Sequence, residues 1–422
     1  MNPYTLVVIT ALTIALALQF WLLSRQAIYV QRHRTLVPDA FRNHISLEDH
    51  QKAADYTVAK TRLLRIEEVV GTLWILFWTL GGGLNTLDYF WRTAFPSPLL
   101  TGTAFVVSIV LIMSILDLPL SLYRIFVLEE RFGFNRITPR IFVADTGKQI
   151  LLSALLGIPL VWVVLWLMNS AGPSWWLYTW ATWIGFGLIM TWAYPAFIAP
   201  IFNKFTPLAD EELRARVVAL VERCGFRTDG VYVMDSSRRS GHGNAYFTGL
   251  GANKRIVFFD TLLESLSPIQ VEAVLAHELG HFRHRHVFKR WLFIGTMSFA
   301  SLAVLGALIH QPQFYLGLGV DSPSSHVALI LFLLVIPPFT LLVQPFLAYI
   351  LRTHEFEADD FACRTVNEPS ALCEALLCLY KENASTLTPD PLYSAFYDSH
   401  PPAPIRIARI SARNSDGLKD ET

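Results

Sequence analysis

The stretch Val271–Arg290 reads VEAVLAHELGHFRHRHVFKR and contains an H-E-x-x-H motif at positions 277–281. A helix-start signal precedes it: Ser267 is a hydroxyl cap, Pro268 suits the first turn, and Gln270 stands three residues after the cap. The motif is therefore predicted to lie on a helix.

The spacing of the histidines in this motif predicts a zinc site. Residues four apart share one face of a helix, so His277 and His281 can present two imidazoles to one metal ion. Glu278 follows the first ligand and is placed to act on a water molecule without being a ligand itself. The further histidines His284 and His286 leave an alternative open, a merely basic and solvated helix end.

The composition of the chain favours a membrane protein. Of its 422 residues 53% are hydrophobic and only 16% are charged. The net charge is zero, so no nucleic-acid-binding surface is indicated. Four cysteines form no C-x-x-C pair, which argues against a disulfide framework and a zinc knuckle.

Apolar runs of membrane-spanning length recur along the chain, and seven are predicted to be spans. They are Tyr4–Ser24, Val69–Phe90, Thr101–Tyr123, Gln149–Met168, Trp175–Pro200, Trp291–His310 and Val327–Leu351. The first lacks a basic segment before it, which indicates a retained anchor with its N-terminus outside.

The distribution of cationic residues sets the predicted orientation. The loops 91–100, 169–174 and 311–326 contain a single cationic residue, Arg92, whereas the segments on the other side are rich in arginine and lysine. By the positive-inside rule, the H-E-x-x-H helix and the C-terminus lie in the cytoplasm.

A fourfold division of the chain follows from these spans. Residues 1–200 hold spans one to five with cytoplasmic loops, 201–290 form a cytoplasmic zinc-protease insert, 291–351 hold spans six and seven, and 352–422 are a cytoplasmic C-terminal segment. The insert is predicted to contain a helix at 210–223, strands at Val231–Asp235, Asn244–Thr248 and Arg255–Asp260, and a hairpin turn at 251–254. The predicted fold class is mainly α, a polytopic membrane protein with about seven transmembrane helices and a zinc-metalloprotease domain containing a small β-sheet.

A third zinc ligand is predicted after the seventh span, in the segment RTHEFEAD at 352–359. Glu355 and Asp359 are four apart and share a helical face, so Glu355 is the predicted ligand and Asp359 the acceptor that orients a ligand imidazole. Glu357 and His354 are weaker ligand candidates, and a solvated acidic helix end is the alternative.

Two imidazoles and one carboxylate are the ligand set of a hydrolytic zinc site that leaves a position open for water. Zinc so bound would polarise a peptide carbonyl. Glu278 would take the proton of the attacking water and deliver one to the leaving amine. A further hydrogen-bond donor is needed for the oxyanion.

Three motifs together resemble the type I CAAX prenyl protease family, which are integral-membrane zinc endopeptidases. They are H-E-L-G-H at 277–281, R-x-x-E-F-x-A-D at 352–359 and S-H-P-P-x-x-x-R at 399–406. The resemblance extends to SLEDHQKAADYTVAK from residue 46, SLYRIFVLEERFGFNRITP from residue 121 and NAYFTGLGANKRIVFFDTLL from residue 244. It covers nearly the whole chain.

The resemblance implies seven helices around an intramembrane chamber, with one zinc ion per chain at its cytoplasmic end. It also implies that His400 and Arg406 lie at the active site, with His400 as the oxyanion donor. Asn244 and Ala245 match the strand that pairs with an extended peptide substrate. The partners implied are a peptide or protein, lipidated or not, and membrane lipid.

The compact segment before the C-terminal motif favours a bacterial relative in the inner membrane; a eukaryotic chain would lie in the endoplasmic reticulum. Many bacteria lack protein prenylation, which leaves the lipidated substrate open. An HtpX-type quality-control protease is the nearest alternative, but such proteins have fewer spans. A transporter with a vestigial zinc helix, or a zinc-stabilised scaffold, are alternatives of a different class.

Overall fold

The computed structural model describes residues 2–248, 253–368 and 370–417. Its first half is built from long helices: α1 (Pro3–Arg32), α2 (Leu47–Trp78), α3 (Gly83–Ala94), α4 (Pro98–Tyr123), α5 (Glu130–Phe132), α6 (Pro139–Ser170), α7 (Trp175–Ala193) and α8 (Ala199–Phe202). Short π-helical segments at Arg124–Glu129 and Tyr194–Ile198 join α4 to α5 and α7 to α8, so each pair continues as one helix.

Within the described residues, five helices are long and apolar enough to cross a membrane: Pro3–Arg32, Pro98–Phe132, Pro139–Ser170, Gly172–Phe202 and His286–Leu308. A sixth candidate is the bent pair Ser325–Val335 and Pro337–Thr365. In the third and fourth of these helices only 6% of the most apolar window is buried inside the protein, so the apolar side chains face outward. Outward-facing apolar residues are what a lipid environment requires.

Six of the seven predicted spans coincide with these candidates, and the second does not. The run predicted as Val69–Phe90 is wrong as one continuous helix, because α2 ends at Trp78 and α3 begins at Gly83. Gly82 between them has a φ of 77°, a left-handed conformation that glycine adopts at little cost. The chain therefore turns at a place where hydropathy alone shows only an apolar run.

The insert between the membrane helices forms a small mixed sheet with helices packed against it. Its elements are β1 (Phe205–Pro207), α9 (Glu211–Arg223), β2 (Arg227–Met234), β3 (Ala245–Thr248), β4 (Asn253–Phe259), α10 (Asp260–Ser265) and α11 (Pro268–Arg283). The strand order is β1-β2-β4-β3, with β2 parallel to β4 and the outer pairs antiparallel. The three predicted strands and the predicted helix are confirmed. Of the predicted turn at 251–254, residues 251 and 252 lie outside the described residues, and 253 and 254 are the first residues of β4.

The remaining elements are α12 (His286–Leu308), α13 (Pro312–Gly317), α14 (Ser325–Val335), α15 (Pro337–Thr340), α16 (Gln344–Thr365), α17 (Ser370–Glu382), α18 (Pro391–Tyr397) and α19 (Ala403–Gly417). Helix α11 lies at the centre of this half, and its apolar side chains are buried against the sheet, α9, α16 and α17. It begins with the predicted capping box of Ser267 and Gln270. Arg285, with a φ of 55°, separates it from α12, so the two helices are not continuous.

Candidate active site

Helices α11 and α16 pack closely against each other at the glycine of the H-E-L-G-H motif. A β-carbon at Gly280 would lie 2.9 Å from the Cα atom of Ala358 and 3.1 Å from its carbonyl oxygen. Backbone atoms at that distance have no room to move aside, so the approach requires glycine. This contact fixes how far the helix carrying His277 and His281 lies from the helix carrying Glu355.

Replacing Gly280 by alanine is expected to destabilise the protein by roughly 1–3 kcal/mol and to weaken metal binding, because α16 must move away from α11. A thermal melt followed with and without added zinc measures both effects. Gly295→Ala is the matched control, since its β-carbon would meet only Ile184 Cδ1 at an ordinary 3.9 Å. Equal melting temperatures for the two variants would contradict this account of the glycine.

The side chains of His277, His281 and Glu355 bring their donor atoms together across this helix contact. The two Nε2 atoms of the histidines are 3.2 Å apart. Glu355 Oε2 lies 3.4 Å from His277 Nε2, and Oε1 lies 3.3 Å from His281 Nε2. Among the described residues these three form a group with metal-ligand geometry.

The donor set fits a zinc ion by two observations. Ligands at the usual zinc distances in a tetrahedral site are separated by about 3.3 Å, which is close to all three separations above. Glu355 Oε2 is buried and receives no hydrogen bond from any described residue. A buried carboxylate oxygen without a donor is costly, and a cation at this point would remove the cost.

Asp359 contacts His277 and is itself bound by Arg406. His277 Nδ1 lies 2.9 Å from Asp359 Oδ1, so its Nδ1–H donates to the carboxylate and Nε2 is left as an acceptor. Arg406 donates to both carboxylate oxygens of Asp359, at 2.6 and 2.7 Å. Asp359 and Arg406 are 1% and 5% exposed, and such a buried pair is rigid.

The environment of His277 also sets its proton affinity. Burial and the nearby Arg406 charge lower the pKa of His277, but the neighbouring carboxylates of Asp359 and Glu355 outweigh them and raise the pKa to about 9. A raised pKa favours the imidazolium form, in which Nε2 carries a proton as well as Nδ1. A cation that binds at Nε2 must displace that second proton.

The second histidine contacts residues to which the sequence analysis gave other roles. His281 Nδ1 lies 2.9 Å from His286 Nδ1, and His286 Nε2 lies 2.8 Å from Glu357 Oε2. The ring of His354 stacks on His286 with centroids 4.0 Å apart. His286 is only 3% exposed, so a solvated helix end does not describe it. Because the chain breaks at Arg285, helical periodicity could not have revealed this contact.

The remaining predicted residues lie around this centre at different distances. His400 Nε2 is 3.5 Å from Glu355 Oε1, and its side chain is 61% exposed. Glu278 follows His277 on α11, is partly buried, and forms no ion pair with a described residue. The weaker ligand candidates Glu357 and His354 lie outside the donor group and contact His286 instead.

Ala245 is the first residue of β3, an edge strand of the sheet, and Asn244 directly precedes it. Asn244 accepts a hydrogen bond from the amide of Phe259 on β4, and one side of β3 is thereby paired. Phe247 on β3 packs edge-on against Phe282 of α11, with ring centroids 4.9 Å apart. The edge strand β3 therefore packs against α11, the helix that carries the histidines.

Two family models match the chain. Residues 26–204 match the model described as CAAX prenyl protease N-terminal, five membrane helices, and residues 207–414 match peptidase family M48. The chain belongs to peptidase family M48. Members of this family are in general zinc-dependent, which agrees with the His/Glu donor group.

Similar proteins cover almost the full chain. The CAAX prenyl protease 1 homolog of Dictyostelium discoideum is 34% identical, over 90% of this chain and 91% of the relative. CAAX prenyl protease 1 of Saccharomyces cerevisiae is 31% identical over 90% of each chain. The crystal structure of S. mikatae Ste24p superposes with a TM-score of 0.88 at 29% identity, covering 97% of this chain and 99% of that one.

These matches confirm the predicted resemblance, and with the membrane helices they make the chain a polytopic membrane metallopeptidase of family M48. The alternatives of a transporter, a structural scaffold and an HtpX-type protease are not favoured, because both halves of the chain match the CAAX protease architecture.

Proposed function

We propose that His277, His281 and Glu355 bind one zinc ion per chain, and that this site hydrolyses peptide bonds of membrane-associated substrates. The observation that carries the proposal is the cluster of donor atoms, in which the two histidine Nε2 atoms are 3.2 Å apart and lie 3.4 and 3.3 Å from the two carboxylate oxygens of Glu355. Two imidazoles and one carboxylate would hold a zinc ion and leave a position open for water. When bound, zinc would polarise the scissile carbonyl and make the attacking water more acidic.

The protein's own residues then divide the remaining work. Glu278 accepts the proton of the attacking water and returns a proton to the leaving amine. His400, exposed beside Glu355, donates a hydrogen bond to the oxyanion. Asp359, held by Arg406, keeps the proton of His277 on Nδ1 and so keeps Nε2 directed at the metal. The proposed catalytic residues are thus supported by two positioning residues.

The proposed substrate is an extended peptide that adds to the free edge of β3. Asn244 and Ala245 lie where such a peptide would begin to pair, and the main-chain groups of β3 that are not bonded to β4 would offer it hydrogen bonds, as in other cases of strand addition. The relatives named above are CAAX prenyl proteases, which supports a substrate whose C-terminal segment carries a lipidated cysteine. Neighbouring membrane lipid would hold the lipid group close to the site.

We further propose that the site faces the cytoplasm, in the inner membrane of a bacterium. The orientation is supported by the concentration of arginine and lysine on the side of the chain that carries α11 and α16. The fourfold division at residues 200, 290 and 351 stays a prediction.

A panel of peptides tests the proposed function. The purified protein is expected to contain about one zinc per chain and to cleave peptides, with cleavage lost on chelation and restored by zinc. A peptide with a prenylated cysteine near its C-terminus is expected to show a KM lower by roughly tenfold or more than its unlipidated equivalent, because the lipid adds apolar burial. Mass spectrometry of the products gives the cleaved bond. Failure of the zinc-loaded protein to cleave any peptide would refute the proposal.

A further inference from the structure

A cavity of about 360 Å³ lies between α2 and the C-terminal segment, and one of its lining residues is His400. Other residues that line it are Tyr56, Lys60, Tyr380, Asn383 and Tyr397. Its size is within the range of pockets that bind small ligands. We name it the Lys60 cavity. Since His400 Nε2 is 3.5 Å from Glu355 Oε1, the cavity begins next to the proposed zinc ligands.

Lys60 gives this cavity a positive charge that is not neutralised by an ion pair. Its ammonium lies 4.9 Å from the centroid of the Tyr56 ring, and it forms an ion pair with none of the described residues. Glu129 is the nearby carboxylate that acts on it, but Glu129 accepts a hydrogen bond from the Tyr56 hydroxyl at 2.6 Å and lies 3.6 Å from His242 Nε2. The contact with Glu129 also fixes Tyr56, which in turn limits the positions open to Lys60.

The cavity is also lined by an acidic group, Asp398. Burial raises the pKa of the Asp398 carboxyl and lowers the pKa of the Lys60 ammonium. Tyrosine hydroxyls and the amide of Asn383 provide further hydrogen-bonding groups. The cavity is thus suited to a small polar ligand with one negative charge.

The anion that every linear peptide carries is its C-terminal carboxylate. An extended chain advances about 3.3 Å per residue, so a few residues beyond the cleaved bond would occupy a cavity of this kind. We propose that the Lys60 cavity binds the C-terminal segment of the substrate and that the Lys60 ammonium pairs with the terminal carboxylate. This inference rests on the proposed function and deepens it, because it makes the free C-terminus part of what the enzyme recognises.

Binding of two peptides that differ only in the C-terminal group tests the inference. A short fluorescent peptide is prepared as the free acid and as the amide, and its affinity is measured for the full-length Glu278→Gln protein loaded with zinc. The acid is expected to bind roughly ten- to a hundredfold more tightly, the usual worth of a hydrogen bond to a charged group. Using a protein impaired in turnover separates recognition from cleavage.

Variants of Lys60 in the same background complete the experiment. Lys60→Gln is expected to lower the affinity for the acid to that for the amide and to leave the affinity for the amide unchanged. Lys60→Arg is expected to keep most of the preference for the acid over the amide. Lys52→Gln is the matched control, because it removes the same charge from another exposed position of α2, one that does not line the cavity.

Equal affinities for acid and amide in the starting protein would overturn the inference, and so would an equal loss for both peptides in Lys60→Gln. A different result would refute the proposed function instead: the Glu278→Gln protein prefers the acid, but the parent protein, which keeps Glu278, cleaves no peptide. The two failures are therefore distinguishable.

Discussion

Replacing Glu278 by glutamine is expected to lower kcat for peptide cleavage by at least about a hundredfold while leaving zinc in place, since general acid–base catalysis contributes roughly 10²–10⁴-fold. Glutamine keeps the size of the side chain but cannot accept the proton of the attacking water. No ion pair is lost, because Glu278 forms none with a described residue. Steady-state kinetics and metal analysis of the same preparation measure the two quantities.

Glu272→Gln is the control for this variant. Glu272 lies on the same helix but pairs with Arg223 at 3.0 Å, away from the histidines. Its replacement is expected to leave kcat unchanged and stability within about 1 kcal/mol, as for other surface ion pairs. Turnover that survives in Glu278→Gln would reject Glu278 as the base, and loss of zinc in that variant would make it part of the metal site.

The donor group of the active site could be predicted from sequence because helical geometry is local. Four-residue spacing places His277 with His281 and Glu355 with Asp359 on shared faces without any tertiary information. The same holds for the start of α11, where Ser267 and Gln270 form the predicted capping box. The contact between α11 and α16 was a hypothesis drawn from the chemistry of zinc. The distances between the donor atoms of His277, His281 and Glu355 agree with it.

Other features depend on contacts between distant parts of the chain and left no local signal. Asp359 and Arg406 are far apart in sequence, and only the packing of α16 against α19 brings the guanidinium to the carboxylate. The contact of His281 with His286 depends on the left-handed turn at Arg285. Apolar composition likewise could not reveal the break between α2 and α3, because a broken and a continuous helix have the same hydropathy.

His286, one of the histidines for which a solvated helix end was an alternative, shows how packing decides the role of a residue. His286 lies only two residues after the exposed His284, yet it is buried and contacts both a proposed ligand and Glu357. Burial is decided by the neighbouring helix α16, which supplies Glu357 and the stacked ring of His354. A residue's role next to a metal ligand is thus set by packing more than by its position in a motif.

Glu355→Gln is expected to lower zinc affinity by more than about a hundredfold, because loss of a ligand should exceed the 10–100-fold cost of losing a residue that only orients one. The replacement keeps the volume of the side chain but removes the negative charge that balances the cation. It also removes one of the two carboxylates that raise the pKa of His277, so the imidazolium loses its proton more easily. That change favours metal binding, so a fall in affinity despite it would identify Glu355 as a ligand.

Zinc-dependent melting measures this effect directly, since a ligand that binds only the folded state raises Tm with its concentration. Added zinc is expected to raise the Tm of the metal-free parent protein and to leave that of Glu355→Gln almost unchanged. Glu357→Gln is the matched control, two residues along α16 and in contact with His286 at 2.8 Å. It is expected to retain most of the zinc response, because the donor group contains no Glu357 oxygen. Equal zinc responses in the parent protein and in Glu355→Gln would remove Glu355 from the ligand set and with it the tetrahedral site.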